Sequence, residues 1–520
     1  MPFDLPIVPL RPFCETGRFH HMDRLEQYFR NKQDDHKRHD WDGCLRELGG
    51  VPLYEPEPVD YDVPYSQRRP NARYNLPRVV VSNLTQMSLG GTSFAEINCE
   101  GGEAAEKALR EWAKIMRLPA QISEARNFGG QQGTACWSLG VTRGRFRIDV
   151  HNPKHCTVLD WVDRADFIPR RVVKAYSFQR NVVDVESKSL VLKTFWYVRL
   201  WDETQSVTWE QIPDELAKQP DWHVQLAPTY VHTHDWGICP FYWVQNLPDS
   251  QEEDGEGDYE GVEDKCDEIN ALLSSSSRGS RKNVDPTTVI HGEDNDEGVR
   301  KGSAAVIYSP EGAEYLEMKG TGVTAALELL NELRQSVLEE TQCVIPREDK
   351  ITGAAQSAAA MRILYRPMIA RCNILRDQYG PPIARMLEDV LRVARKLRST
   401  VIPIYGADGA LTENQVPTVT PDLDPGVAEM VTLRWPEYFA PTSQDIKDAV
   451  TTAQAASGGK NVIAHKTAVD YTARMFGVAD VDEEIAAIDE EADAEADRAA
   501  EAMEREAQAF GKGPAADAAE

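Results

Sequence analysis

Between Asp258 and Cys343 the chain carries two long amphipathic helical patterns with a short β-rich insert between them, an order that few architectures accommodate. In the first pattern, Asp258 to Arg281, apolar residues recur at Tyr259, Val262, Cys266, Ile269 and Leu273. Their steps of 3, 4, 3 and 4 trace a heptad-like seam. Its first turns are acidic (Asp258, Glu260, Glu263, Asp264) and its end is basic (Arg278, Arg281, Lys282), the polarity that suits a helix dipole. About 24 helical residues at ~1.5 Å each make a rod of about 36 Å. The insert offers strands at Thr287–Ile290 and Ala304–Tyr308 around the acidic turn Glu293–Gly298, and Ala313–Met318 adds a third piece. The second helix is expected from Gly322 to Cys343, with Ala326, Leu330, Leu333 and Val337 along one side.

Around this unit the pattern is mixed, and the fold class read from it is α+β. Arg78–Val81 reads as a strand or a short apolar helix, and Glu103–Met116 as a helix with Ala104, Leu109, Trp112 and Met116 on one face. Strands are expected at Arg145–Val150, Val172–Phe178, Leu190–Leu200 and Val207–Ile212, before a polar linker at Asn246–Gly257. After the loop Ile345–Thr352, a very long helical pattern runs from Gly353 to Arg398. Pro367 and Gly380-Pro381-Pro382 are expected to kink or break it. Strands at Thr400–Tyr405 and Met430–Trp435 precede helices at Ser443–Ala456 and Ile463–Phe476. An acidic Ala/Glu helix from Val481 to Phe510 and a disordered tail, residues 511–520, complete the chain.

The chain contains little that resembles catalytic chemistry. Gly129-Gly130-Gln131-Gln132-Gly133 is glycine-rich but is neither GxGxxG nor a Walker loop, and no GK[ST], GxSxG or HExxH occurs. His232-Thr233-His234-Asp235 puts two imidazoles on one face of a strand but specifies no third or fourth ligand, and Glu293–Gly298 fits no EF-hand register. Nine cysteines without a CxxC pair fit reduced, mostly buried thiols rather than a disulfide framework. No apolar run approaches the ~20 residues of a membrane span, and the N-terminus lacks signal-peptide features, so a cytoplasmic origin and no membrane partner are expected. The net charge of −27 counts against a protein that grips DNA by its phosphates. It suits a conduit through which DNA slides, or simply a well-solvated surface. No enzyme, cofactor or metal is expected.

The order of elements resembles the portal proteins of tailed bacteriophages. Cys239-Pro240-Phe241-Tyr242-Trp243-Val244-Gln245-Asn246, the acidic linker, Asp258–Asp264 and Asp267-Glu268-Ile269-Asn270 resemble the approach to that family's first stem helix. Val289-Ile290-His291-Gly292 and Gly302–Val306 resemble its clip, and Tyr315-Leu316-Glu317 with the helix from Gly322 resembles the second stem helix. Ile351–Ala360 resembles the junction of tunnel loop and long wing helix. Trp435-Pro436, Pro441, Asp445 and the helix–Asn461–helix–acidic tail order resemble the crown. The resemblance spans about residues 74–510.

It implies an N-terminal extension and wing over 1–257, stem helix 258–281, clip 282–321, stem helix 322–344 and tunnel loop 345–352. A long wing helix with wing strands over 353–442 and a crown over 443–510 follow. It further implies a homo-oligomeric ring, a dodecamer, at one capsid vertex of the virion, assembled in the host cytoplasm. The ring would pass double-stranded DNA without reading its sequence and meet the major capsid and scaffolding proteins. Its clip would dock the large terminase subunit and later the head-to-tail adaptor, with Val289, Ile290, Asp294, Asp296, Val306 and Tyr308 as the contact candidates. Arg347 and Lys350 in the tunnel loop are the candidates for phosphate contacts, against the alternative of an ordinary interhelical loop. Glu260, Glu263, Asp264 and Asp267 either line the channel as rings of like charge or pair with basic residues of a neighbouring subunit. The alternatives from other classes are a nuclease or ATPase subunit of the packaging machinery, which the missing phosphate loop disfavours, and a minor head protein without a channel.

Overall fold

A computed structural model describes residues 8–32, 72–100, 103–142, 145–183, 190–284, 321–345, 358–396, 430–439, 443–457 and 465–476. It also describes the short segments 288–290, 306–308, 313–315, 404–405 and 411–412, and scattered positions between 485 and 503. Helices α1 (Leu10–Cys14), α2 (Gly17–Phe29) and α3 (Leu76–Leu89) open the chain, followed by strand β1 (Glu96–Cys99). Helices α4 (Glu103–Met116) and α5 (Leu118–Gln132) then lead into β2 (Thr134–Thr142) and β3 (Arg145–His151). Next come β4 (Cys156–Asp163), β5 (Ile168–Val183), β6 (Leu190–Trp201) and β7 (Gln205–Pro213). Two short helices, α6 (Asp214–Ala217) and α7 (Trp222–Gln225), precede β8 (Tyr230–Thr233) and β9 (Phe241–Gln245). All four strands expected in this stretch are present, and Arg78–Val81 resolves as helix. Asn75 caps α3 by accepting from the Arg78 N–H, and Pro77 sits in its first turn, where a missing N–H costs no bond.

The strands form two antiparallel sheets, β3-β2-β9 and β4-β5-β6-β7-β8. β9 is buried along its whole length, and β2 over its first six residues, because α5 packs on one side and the larger sheet's Trp201 packs against Phe241. The larger sheet buries Trp196, Trp209 and Trp222 with Val173, Val198 and Leu200 on one face. Two of these three indole N–H groups have acceptors in or beside the sheet. Trp196 donates to Asp214 and Trp209 to the Leu226 carbonyl.

Then follow α8 (Glu263–Val284), the strands β10 (Thr288–Ile290), β11 (Val306–Tyr308) and β12 (Ala313–Tyr315), and α9 (Thr321–Glu340). α8 and α9 are antiparallel. Lys265 at the start of α8 meets Ser336 and Glu340 near the end of α9, and Gly279 faces Val323 at the other end. The insert is a three-stranded sheet in the order β11-β10-β12, with β10 parallel to β11 and antiparallel to β12. The predicted helix–β–helix order is therefore present, with α8 starting at Glu263 instead of Asp258.

Helix α10 (Ala358–Leu364) ends at Tyr365, and α11 runs unbroken from Arg366 to Lys396. The break near Pro367 was expected, and Pro367 sits in the first turn of α11. The break expected at Gly380-Pro381-Pro382 does not occur. Tyr379, Ile383, Met386, Leu387, Val390 and Leu391 are fully buried around it, and burial worth about 1.5–3 kcal/mol per large side chain outweighs the lost backbone bonds. Strands β13 (Ile404–Tyr405) and β14 (Leu411–Thr412) pair with each other, and β15 (Val431–Arg434) pairs with β1.

The chain divides into two compact units. The larger comprises residues 1–345 and 367–436, the smaller residues 346–366 and 437–520. The smaller unit holds α10, α12 (Ser443–Ser457) and α13 (His465–Phe476). Within it Arg362 pairs with Glu437, and Tyr365 lies against Phe439. α12 and α13 bury the small residues Ala449, Ala453, Ala468, Val469 and Ala473.

Candidate functional site: the root of the helical hairpin

The glycine-rich run at the end of α5 is a packing pad for the root of α8. Gly133 adopts φ +81°, and a Cβ there would sit 1.9 Å from the Gly255 carbonyl oxygen. Its own carbonyl accepts from the Asn246 N–H at 2.8 Å, and the Gly130 carbonyl accepts from the Asp258 N–H at 2.8 Å. A Cβ on Gly130 would meet both Arg126 and Asp258 within 2.4 Å. Glycine is required here because two chain segments touch backbone to backbone.

Above this pad lies an ion pair wholly inside the protein. Arg126 Nη2 donates to both Asp258 carboxylate oxygens, at 3.0 and 2.8 Å, and both side chains are shut off from solvent. Asn246 donates to Asp258 Oδ1 at 3.1 Å and accepts from the Tyr379 hydroxyl, while Arg371 donates to the Asp258 carbonyl. Burial alone would lower the Arg126 pKa, but Asp258 outweighs it and holds the guanidinium above its usual range. Burial pushes the Tyr379 hydroxyl up, so it stays a neutral donor. The cluster ties α5, the residues before α8 and α11 to one point.

Segment 246–257, expected to be a polar linker, is an ordered turn. Leu247 bridges to Glu256, and the Gln245 amide donates to the carbonyls of Asp249 and Glu252. Asp254 accepts from Thr134 at 2.7 Å and from Arg18 Nη2 at 2.8 Å. Its polarity is satisfied by partners far away in sequence.

One of those partners belongs to α2, which runs parallel to the start of α8. His21 pairs with Glu260 at 2.8 Å, Arg24 with Glu263 at 3.1 Å, and the Tyr28 hydroxyl donates to Asp267 at 2.7 Å. Both partners advance by three and then four residues, one helical turn per rung. Tyr259 closes the contact by donating to the Leu25 carbonyl at 2.6 Å. Glu260 and Glu263 also accept backbone N–H bonds from Gly257 and Gly261, the latter at φ +88°. The hydrogen bond to Glu260 raises the His21 pKa against the opposing effect of burial. For Glu260, burial pushes upward, but His21 and the Gly257 N–H prevail and lower it.

Of the four acidic residues singled out in the sequence, Glu260, Glu263 and Asp267 are thus engaged within their own chain, and Asp264 is exposed. Val289 and Ile290 lie on β10 beside β11, where Ile290 is in register with Tyr308 and Thr288 with Val306. The backbone thus brings these four together in one sheet. Asp294, Asp296, Arg347 and Lys350 lie outside the described residues. His232 and His234 sit with ring centroids 6.1 Å apart, and the His234 ring packs on Trp236. Sequence reasoning missed Arg126, Asp258's role in its pair, and all of α2. The Gly129–Gly133 run was their one visible signal.

Two antiparallel helices with a three-stranded sheet between them in sequence are tied to an α+β body by a buried ion pair, with no cluster of metal-ligating side chains among the described residues. The sequence matches the family model for phage portal proteins of the SPP1 Gp6-like type over residues 17–498, and the chain belongs to that family. The match takes in α2 and so reaches further toward the N-terminus than the resemblance read from motifs. Among solved structures, one of the virion of a native gene transfer agent particle is similar at 11% identity and a TM-score of 0.34. That likeness covers 82% of this chain and 96% of the other. No curated protein matches.

Proposed function

We propose that this chain forms a ring-shaped channel at one capsid vertex, a dodecamer through which DNA is packaged, retained and ejected. The observation that carries the proposal is the helical hairpin, held at its root and tipped by a small sheet, in a member of a phage portal family. Helical hairpins set side by side close a ring when each buries apolar surface against the next.

In this reading residues 258–281 and 322–344 are the stem, and residues 282–321 between them are the clip that docks the large terminase subunit and then the head-to-tail adaptor. Val289, Ile290, Asp294, Asp296, Val306 and Tyr308 are its contact residues. Arg347 and Lys350 form a tunnel loop that touches DNA phosphates without reading sequence. Asp264, exposed near the start of α8, is the best placed of the four acids to face the channel, while Glu260, Glu263 and Asp267 fix the stem root. The body meets major capsid and scaffolding proteins. The protein acts by shape and charge, within the virion, and assembles in the host cytoplasm. No chemical step is assigned to it.

Replacing residues 286–310 by a short Gly/Ser linker tests the division of labour. Rings are expected to form unchanged while adaptor binding, measured by co-sedimentation, is lost. Loss of the rings themselves would contradict the assignment of this segment as a clip.

A further inference from the structure

The larger sheet does not keep five strands along its whole length. β4 accompanies β5 only as far as Lys174, and β7 joins β6 only from Phe195. From the Gln179–Thr194 pair to the Val183–Leu190 pair, β5 and β6 continue with no third strand among the described residues, as a two-stranded arm. A two-stranded ribbon is marginal in water by itself. This one also exposes Leu190, Val183 and Leu192 at 70%, 61% and 57% of their surface. On its other face Arg180 stands directly opposite Lys193, a like-charged pair that weakens the ribbon. Neither makes an ion pair among the described residues. An apolar face backed by two cations without an ion pair among the described residues forms a surface that lacks its counterpart.

We infer that this arm is an intersubunit clamp that docks on a second copy of this chain, along the free edge of β8. The chain offers the matching surface there. β8 is the last strand of its sheet, bonded to β7 on one side and with no strand on the other among the described residues. It exposes Tyr230 and Val231 at 60% and 50%, and exposed Glu210 lies on β7 just beyond the Thr208–Tyr230 pair. The edge therefore supplies apolar side chains, an acid for Arg180 and Lys193, and an open row of backbone donors and acceptors. β8 flanks the Gln205–Thr208 end of β7, whereas the arm leaves past the Pro213 end, so the two surfaces lie at opposite ends of one sheet. A contact of arm to edge is head-to-tail, and repeated around an axis it closes a ring. The inference rests on the ring reading and adds the surface that joins neighbours.

The test uses the full chain, with assembly followed by mass photometry and negative-stain images. Reversing both cations, Arg180→Glu with Lys193→Glu, is expected to raise the protomer concentration at half-assembly about tenfold, the loss of roughly one interfacial charge pair. Adding Glu210→Lys is expected to restore part of it. Because the arm is exposed, the protomer's melting temperature stays unchanged. A chain carrying Leu192→Cys and Val231→Cys, treated with a short bismaleimide, is expected to give a ladder in steps of 58.3 kDa that neither single variant gives. Wild-type-like assembly with no ladder overturns the clamp and leaves the ring reading standing. Normal rings that fail to enter capsids assign the arm to a capsid protein and overturn the second-copy partner. A wild-type chain that makes no rings, alone or with its capsid partners, overturns the ring reading and the clamp with it.

Discussion

The helical hairpin is held very differently at its two ends. Near the root, Tyr259, Val262, Cys266 and Ile269 of the seam are buried together with Val337 and Leu338 of α9. The same stretch carries the Arg126–Asp258 pair and the three rungs to α2. Farther along, Ala326, Leu330 and Leu333 are only half-buried, and Leu327 and Leu329 stand exposed. The root is finished within one chain. The shaft keeps apolar surface in reserve, as expected of a part whose packing is completed by neighbours.

Breaking the root should cost far more than altering the shaft. Asp258→Ala leaves Arg126 buried without a counter-charge, and a loss of about 3–5 kcal/mol is expected from denaturant unfolding. Gly133→Ala forces a side chain into a left-handed backbone against the Gly255 carbonyl, for a loss of about 1–3 kcal/mol by the same measurement. The pair His21→Ala with Arg24→Ala removes two partly exposed contacts. Global stability should fall by no more than about 1 kcal/mol, with amide exchange accelerating across residues 17–29. On the shaft, Leu329→Ser should leave protomer stability within about 0.5 kcal/mol while weakening assembly. An equal loss of stability from Leu329→Ser and Asp258→Ala would abolish the distinction between root and shaft.

The rungs also carry a pH signature. The His21 pKa is raised, so its contribution is complete below the unfolded value of about 6.5 and is lost as pH rises through the raised one. The Glu260 pKa is lowered, so its contribution is complete above about 4.5 and fades as pH falls. Protection of α2 from amide exchange, corrected for intrinsic rates, should therefore peak between these values and decline on the alkaline side. The His21→Ala variant should lose that alkaline decline.

Local pattern made the shaft readable in advance. A heptad-like seam, a dipole-matched charge gradient and β-branched runs specify α8, β10, β11 and α9 without reference to anything distant. The root was opaque because its partners are far apart in sequence. Arg18 reaches Asp254 across 236 residues, and Arg126 reaches Asp258 across 132. A segment dense in carboxylates and glycine therefore read as a linker. The unbroken helix through Pro381-Pro382 was hidden for the same reason, since burial of its flanks and not local propensity decides it. In α3 the three valines left strand and short apolar helix both open, and the structure decides for the helix with the Asn75 cap and Pro77 in its first turn.

Negative-stain electron microscopy of the purified full chain, with the particle mass measured in parallel, tests the ring most directly. Closed rings with a central hole and a narrower stalk are expected, at a mass near a dodecamer. Monomers or irregular aggregates that capsid and scaffolding partners fail to convert into rings would contradict it.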